Sequence, residues 1–271
     1  MCGRYTIAHS SDEILDRFEA ILAEATALAS GSAGAEVSEP GDKPPTSLRA
    51  NFNVAPTVSV PIIVRPGAPG AEPGPRVLEL AKWGLIPFWA KDPKKSKPLI
   101  NARAETLLES KTFKRPFTKH RCIIPADSFY EWQRAEGKKI PMRILLKGHG
   151  LFGLAGIYED WHGPEGQTVR TCSIITVAAN ELVAPVHDRM PAILLKENEA
   201  LWLDNSSFDP DKLTGALASY PQDLMELYPV SDLVNSVRNN SPACIEPAER
   251  DVTITQASEE KCLTQLQIPF N

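Results

Sequence analysis

The sequence has little of several things, and each shortage excludes a class of protein. No apolar run approaches the roughly 18 residues needed to cross a bilayer, and MCGRYTIAHSSDE has neither the basic start nor the apolar stretch of a secretory signal. Cysteine is sparse: five residues (Cys2, Cys122, Cys172, Cys244, Cys262) are scattered over 271 positions with no CxxC pair. An odd, scattered set argues against a disulfide framework and against a zinc site, so neither metal nor cofactor is expected. Cys122 and Cys172 lie in apolar runs and read as core. Excess positive charge is also missing, since the formal net charge is −5.

That sum hides a polarised chain. Between Lys82 and Arg121, eleven Lys/Arg face three acids, a local +8 that leaves −13 on the remainder. A solvated face is the ordinary reading of such a run. This one is interleaved with Trp83, Phe88, Trp89, Phe113 and Phe117, and basic residues mixed with aromatics suit a single-strand nucleic-acid surface.

A hydrophobic content of 42% with 23% charged residues is that of a globular protein large enough to bury a sizeable core. Ser10 with Glu13 forms a capping-box pattern, and Ile14, Phe18, Ile21 and Leu22 recur at helical spacing, predicting a helix through SDEILDRFEAILAEATAL. VPIIV, VLELAKW, RCIIPADSFYEW, PMRILL, LFGLAGIY and TCSIITVAA predict short strands. Helices return at ENEALWLD and at DPDKLTGALASY, where Asp209 or its neighbour caps. The Gly/Pro-rich stretches 29–47 and 67–75 read as flexible surface insertions. The expected fold is α+β: a mostly antiparallel, barrel-like β core with peripheral helices, in one domain over 1–240. Residues 241–271 are expected to form a C-terminal extension packed on the domain or trailing from it.

The second residue is the unusual cysteine. Methionine is removed ahead of small side chains, which would leave Cys2 with a free α-amine and a thiol, both partly deprotonated near neutrality before any tuning by the site. Chance at a frayed end is the plain alternative. Three further stretches put a polar residue where a strand or turn is otherwise apolar: Asn101 in PLINARAET, Glu131 in ADSFYEWQ and His187 in PVHDRMP. Singly, these read as a turn former, a solvent-facing strand residue and a satisfied loop histidine. Glu131 between Tyr130 and Trp132 is the exception, since a carboxylate in so apolar a run should hold its proton to higher pH.

MCGRY, NVAPT, WGLIPFWA, INARAET, IIPADSFYEW and HDRMP occur in one order, and in that order the chain resembles the SRAP family from Cys2 to about Val237, closing on YPVSDLVNSVRNN. The family's proteins process abasic sites and shield them in single-stranded DNA. The resemblance implies a nucleophile at Cys2, a site asparagine at Asn101, an acid/base glutamate at Glu131 and a site histidine at His187. It implies a covalent cross-link to DNA and, as partners, single-stranded DNA carrying abasic sites and proteins of the replication fork, with no membrane. An intracellular location follows: the nucleus in a eukaryote, the cytoplasm or nucleoid in a bacterium. Arg4 and Arg103, beside two of the site residues in sequence, are candidates for the flanking phosphates, with structural ion pairs as the alternative. Phe88 and Trp89 are candidate base-stacking residues, with core packing as the alternative, and core packing is preferred for Trp83 and Trp132. Lys111 belongs to the basic run, and Arg189 is expected to steady the His187 loop. Two other activities fit the same residues: a thiol N-terminal-nucleophile peptidase that removes Met1 from itself, and a non-catalytic reader of modified bases.

Overall fold

The computed structural model describes residues 2–23, 49–67, 74–91, 97–135, 137–164 and 166–248. In chain order the strands are β1 (Tyr5–Ile7), β2 (Ala20–Leu22), β3 (Asn51–Val54), β4 (Ser59–Val64), β5 (Arg76–Trp83), β6 (Asn101–Arg103) and β7 (Arg121–Ala126). They continue with β8 (Ser128–Ala135), β9 (Lys138–Leu146), β10 (Phe152–His162), β11 (Thr168–Ala178), β12 (Arg189–Pro191), β13 (Ile193–Leu194) and β14 (Met225–Pro229). The α-helices are α1 (Ser11–Phe18), α2 (Lys114–Lys119), α3 (Glu199–Leu203) and α4 (Pro210–Gly215).

Five strands close on themselves. Antiparallel ladders join β5 to β4, β4 to β7, β7 to β10 and β10 to β11. A ring of five strands cannot alternate direction all the way round, so one seam must be parallel. That seam is β11 on β5, with Thr171 opposite Lys82 and Cys172 opposite Trp83. Closure leaves the ring with no free edge. β7 reads RCIIPA with every residue buried, because its inner face meets the barrel interior while Phe117 of α2 and Trp202 of α3 cover the outside.

A second sheet, β14-β9-β8-β1-β3, is antiparallel throughout. The expected single strand RCIIPADSFYEW is therefore two. The chain leaves the barrel at Asp127 and enters the second sheet as β8. The Asp127 carboxylate makes this corner rigid by accepting from the Ala8 amide and the Thr6 hydroxyl.

The first helix is shorter than its periodicity predicts. The Ser10–Glu13 capping box is present and Ile14 and Phe18 are buried, but Glu19 turns left-handed at φ 52° and ends the helix. Ile21 and Leu22 then form β2, parallel to β5 and largely exposed. Helix propensity yielded here to a pairing 56 residues away in sequence, which no local pattern encodes. Asp209 caps α4 as expected, accepting from the Lys212 amide. Buried Glu199 of α3 holds α1 by a paired contact with Arg17. Of the two Gly/Pro-rich stretches, 29–47 lies outside the described residues, as do 68–73 of the second, 249–271 of the C-terminal extension and Cys262.

Candidate active site

The four polar residues of the sequence motifs converge where the two sheets meet. The β1–β8 ladder, with Tyr5 opposite Phe129, runs on past β1 to a bond from the Tyr130 amide to the Arg4 carbonyl at 2.9 Å. Continuing that register by one residue sets Gly3 against Glu131, and Cys2, one residue further on, lies near enough for its thiol to feel the Glu131 charge. On the barrel side, β6 lies parallel to β11 with Asn101 opposite Ile174, and Nδ2 of Asn101 donates to the Cys2 carbonyl at 2.8 Å. The other amide atom, Oδ1, is buried with no partner among the described residues. His187 follows the turn at 181–186, pinned through its own amide to the Val183 carbonyl at 3.0 Å, and its charge is felt at Glu131.

The electrostatics follow from burial. Cys2 is fully buried. Loss of solvent raises its thiol well above the ordinary value, and the adjacent Glu131 charge adds to that, so at neutral pH the sulfur carries its proton. Glu131 is 4% exposed, and desolvation likewise raises its carboxyl, against a smaller pull from the positive amino terminus and from His187. Nδ1 of His187 lies 3.0 Å from the Arg189 amide and 2.8 Å from a carboxylate oxygen of Asp188, which is 84% exposed. Nδ1 therefore faces one group that can only donate and one that can only accept. The site thus gathers a protonated thiol, a carboxyl poised to exchange protons, an amide with a spare acceptor and an imidazole.

The rim combines other expected residues with unexpected ones. Arg103 closes β6 and is exposed. The Arg4 guanidinium is half-buried: Nη1 donates to Asn53 at 2.6 Å and to the Val234 carbonyl at 2.8 Å, and the group lies 5.8 Å from the Trp132 ring centre. Trp83 is core as expected, whereas Trp132 is only half-buried, its indole N–H donating to Asn235 at 2.7 Å. Phe88 (49% exposed) and Trp89 (57% exposed) project from the connection that leads into β6. That turn is tied down by the Trp161 indole, which donates to Ala90 at 2.6 Å, and Arg115 lies 4.7 Å over Phe88. Lys111 is exposed just before α2. Arg121, counted in the basic run, is fully buried, where it donates to the carbonyls of Trp202, Phe117 and Thr118. Arg189 pairs with Glu105 through its two terminal guanidinium nitrogens, Nη1 and Nη2, at 2.6 and 3.0 Å. The side chain not singled out from sequence is Asn53, 3% exposed beneath Arg4. Its signal was there, a second polar residue in the strand-forming run NFNV.

A barrel sheet joined to an antiparallel sheet, with Cys2 beside a buried carboxyl, an amide and an imidazole where the two meet, defines an α+β protein with its candidate site at the junction of two sheets. The chain belongs to the SRAP family: the family model described as SOS response associated peptidase (SRAP) matches residues 1–237. It is 46% identical over 249 residues to the abasic site processing protein YoqW of Bacillus subtilis (strain 168), covering 91% of this chain and 99% of that one. It is 35% identical over 231 residues to the abasic site processing protein HMCES of Gallus gallus, covering 75% and 68%. A crystal structure of a protein from Bacteroides thetaiotaomicron superposes with a TM-score of 0.72 at 25% identity, covering 92% of this chain and 100% of that one.

Proposed function

We propose that the protein captures abasic sites in single-stranded DNA by a covalent bond from Cys2. The observation that carries this reading is the placement of Cys2, held by its own carbonyl on Asn101 at 2.8 Å beside the buried carboxyl of Glu131. The relatives named for abasic site processing support the substrate.

Removal of Met1 frees the Cys2 amine. The amine nitrogen adds to the aldehyde carbon of the ring-opened sugar, giving a carbinolamine. Its hydroxyl leaves as water with a proton from Glu131, the nitrogen returns its own proton to Glu131, and an imine remains. The Cys2 sulfur then bonds to the imine carbon while its proton passes to the nitrogen by way of Glu131. The product is a five-membered thiazolidine, and the net loss is one water. An internal cysteine, its nitrogen tied up in an amide, cannot form this ring. A carboxyl with a raised proton affinity serves both directions, typically for about 10²–10⁴-fold. His187 donates to the sugar oxygen, and Oδ1 of Asn101 accepts from the amine and orients it. Arg103 and Lys111 contact phosphates, and Arg4 has Nη2 left for another. Phe88 and Trp89 stack on bases. The activity belongs where the genome is.

Intact-mass spectrometry after mixing the protein with an abasic single strand tests this. The expected species is the chain without Met1, plus DNA, less one water. Cys2→Ala should form no stable adduct, and Cys2→Ser only a reversible imine, because its amine survives without the thiol. An equally stable adduct from Cys2→Ala would assign the bond to a lysine. Peptide release without adduct would favour the peptidase, and neither outcome would favour a non-covalent reader.

A further inference from the structure

Two sequence motifs have no role in the chemistry above: NVAPT, and the closing segment YPVSDLVNSVRNN. A single buried side chain joins them. Asn53 on β3 accepts from Arg4 Nη1 at 2.6 Å, and its Nδ2 faces three carbonyls of the closing segment: Asn239 at 2.8 Å, Ser236 at 3.0 Å and Val234 at 3.3 Å. Two hydrogens cannot serve three acceptors fully, so the longest contact is shared. Val234 is satisfied all the same by Arg4 Nη1 at 2.8 Å. The amide orientation is fixed by chemistry. Flipped, it would set its NH₂ against a guanidinium and its oxygen against three oxygens.

This clamp bears on the nucleophile. Cys2 lies beyond the last rung of the β1–β8 ladder, the bond from the Tyr130 amide to the Arg4 carbonyl. Past that rung the segment is held by Asn101 on the Cys2 carbonyl, at 2.8 Å, and by the long contact from the Cys2 thiol to the Arg4 carbonyl, at 3.8 Å. Arg4 is therefore the near anchor of the segment carrying Cys2, and Asn53 fixes Arg4.

We propose that Asn53 is a positioning residue that acts through Arg4: it locks the closing segment and the start of β1 together, so that Cys2 meets Glu131 at reacting distance. The role deepens the covalent-capture reading and rests on it. Misalignment of a nucleophile lowers the rate of bond formation while leaving most of the DNA surface intact.

Two readouts on folded Asn53→Ala, Arg4→Ala and the double variant test the proposal. The first is single-turnover cross-linking to an abasic oligonucleotide over a range of protein concentration. Asn53→Ala should lower the saturating rate about tenfold to a hundredfold with half-saturation little changed, and the double variant should react no more slowly than Arg4→Ala alone. The second is the rate at which iodoacetamide alkylates Cys2, read by peptide mass spectrometry without DNA. Asn53→Ala and Arg4→Ala should each raise it several-fold. Asn53→Asp, which keeps an acceptor facing Arg4 but sets a carboxylate oxygen against the three closing-segment carbonyls, should lower the rate and raise alkylation in the same direction as Asn53→Ala, and takes the place of that variant if it does not fold. Unchanged alkylation, additive rate losses or weaker binding at an unchanged rate would overturn the role. A wild-type protein that forms no adduct, with alkylation still raised in the variants, would overturn the covalent reading and leave the clamp standing.

Discussion

At the scale of single residues, Glu131 carries the sharpest expectation. Its carboxyl is raised by burial above the ordinary value of 4.5, so the folded protein binds a proton more tightly than the unfolded chain does. The stabilisation this gives is complete below the unfolded value and is lost as pH rises through the raised folded one. Glu131→Gln, neutral and of the same shape, should therefore gain stability relative to wild type as pH rises across that window. The same variant should form the adduct more slowly with little loss of DNA affinity, and its rate–pH profile should lose one limb. Thermal melts and single-turnover rates from about pH 5 to 9 check both. Equal rates with weaker binding would make Glu131 a binding residue and pass the proton to His187. The four positions stood out because each motif breaks an apolar pattern with a polar side chain, and it was the order of the motifs, through the resemblance to the family, that grouped them as one candidate site. The Asn53 clamp was not, because its partners lie 49 residues one way and 181 to 186 the other, and spacing in one sequence does not encode such contacts.

At the scale of elements, the turn after β5 shows how a local signal was read correctly in kind and incompletely in cause. WGLIPFWA was visible as a Pro-containing turn before an aromatic pair. What makes the turn is Gly84, at φ +132°, where an added Cβ would fall 2.6 Å from the Pro98 Cβ. Its amide donates to the Cys172 carbonyl at 2.9 Å, beside the parallel seam of the barrel. Gly84→Ala should cost about 1–3 kcal/mol from backbone strain alone, with the overlap in addition. It should lower the melting temperature by several degrees and disturb the connection that carries Phe88 and Trp89 into β6. A melting temperature equal to wild type would mean that the connection yields without cost. The strands themselves were legible from β-branched runs between Gly, Pro and charged turns. The break at Asp127 and the end of α1 at Glu19 were not, since both are set by the partner sheet rather than by neighbours in sequence.

Across the whole molecule, the polarised charge pattern survives folding in altered form. Arg121 goes inside, to cap helix-end carbonyls, and Arg115 is committed to buried Glu159. Lys82, Lys91, Lys97, Arg103, Lys111, Lys114 and Lys119 are exposed. A protein of net charge −5 can still bind a polyanion through such exposed cations, because counterions leave the nucleic acid locally, one contact at a time. For single strands the logarithmic salt slope falls by about 0.7 for each phosphate contact removed. Arg103→Ala should therefore weaken binding and flatten the slope by about that amount, and Lys111→Ala should do the same if it touches its own phosphate. Lys147→Ala, in the turn between β9 and β10 and outside the basic segment, should change neither. Fluorescence-anisotropy titrations of an abasic single strand at several salt concentrations measure affinity and slope together. Arg4 behaves differently, since its Nη1 is already committed to Asn53 and Val234. Its replacement should slow bond formation more than it flattens the slope. Equal slopes for wild type, Arg103→Ala and Lys111→Ala would move the DNA path away from these two residues.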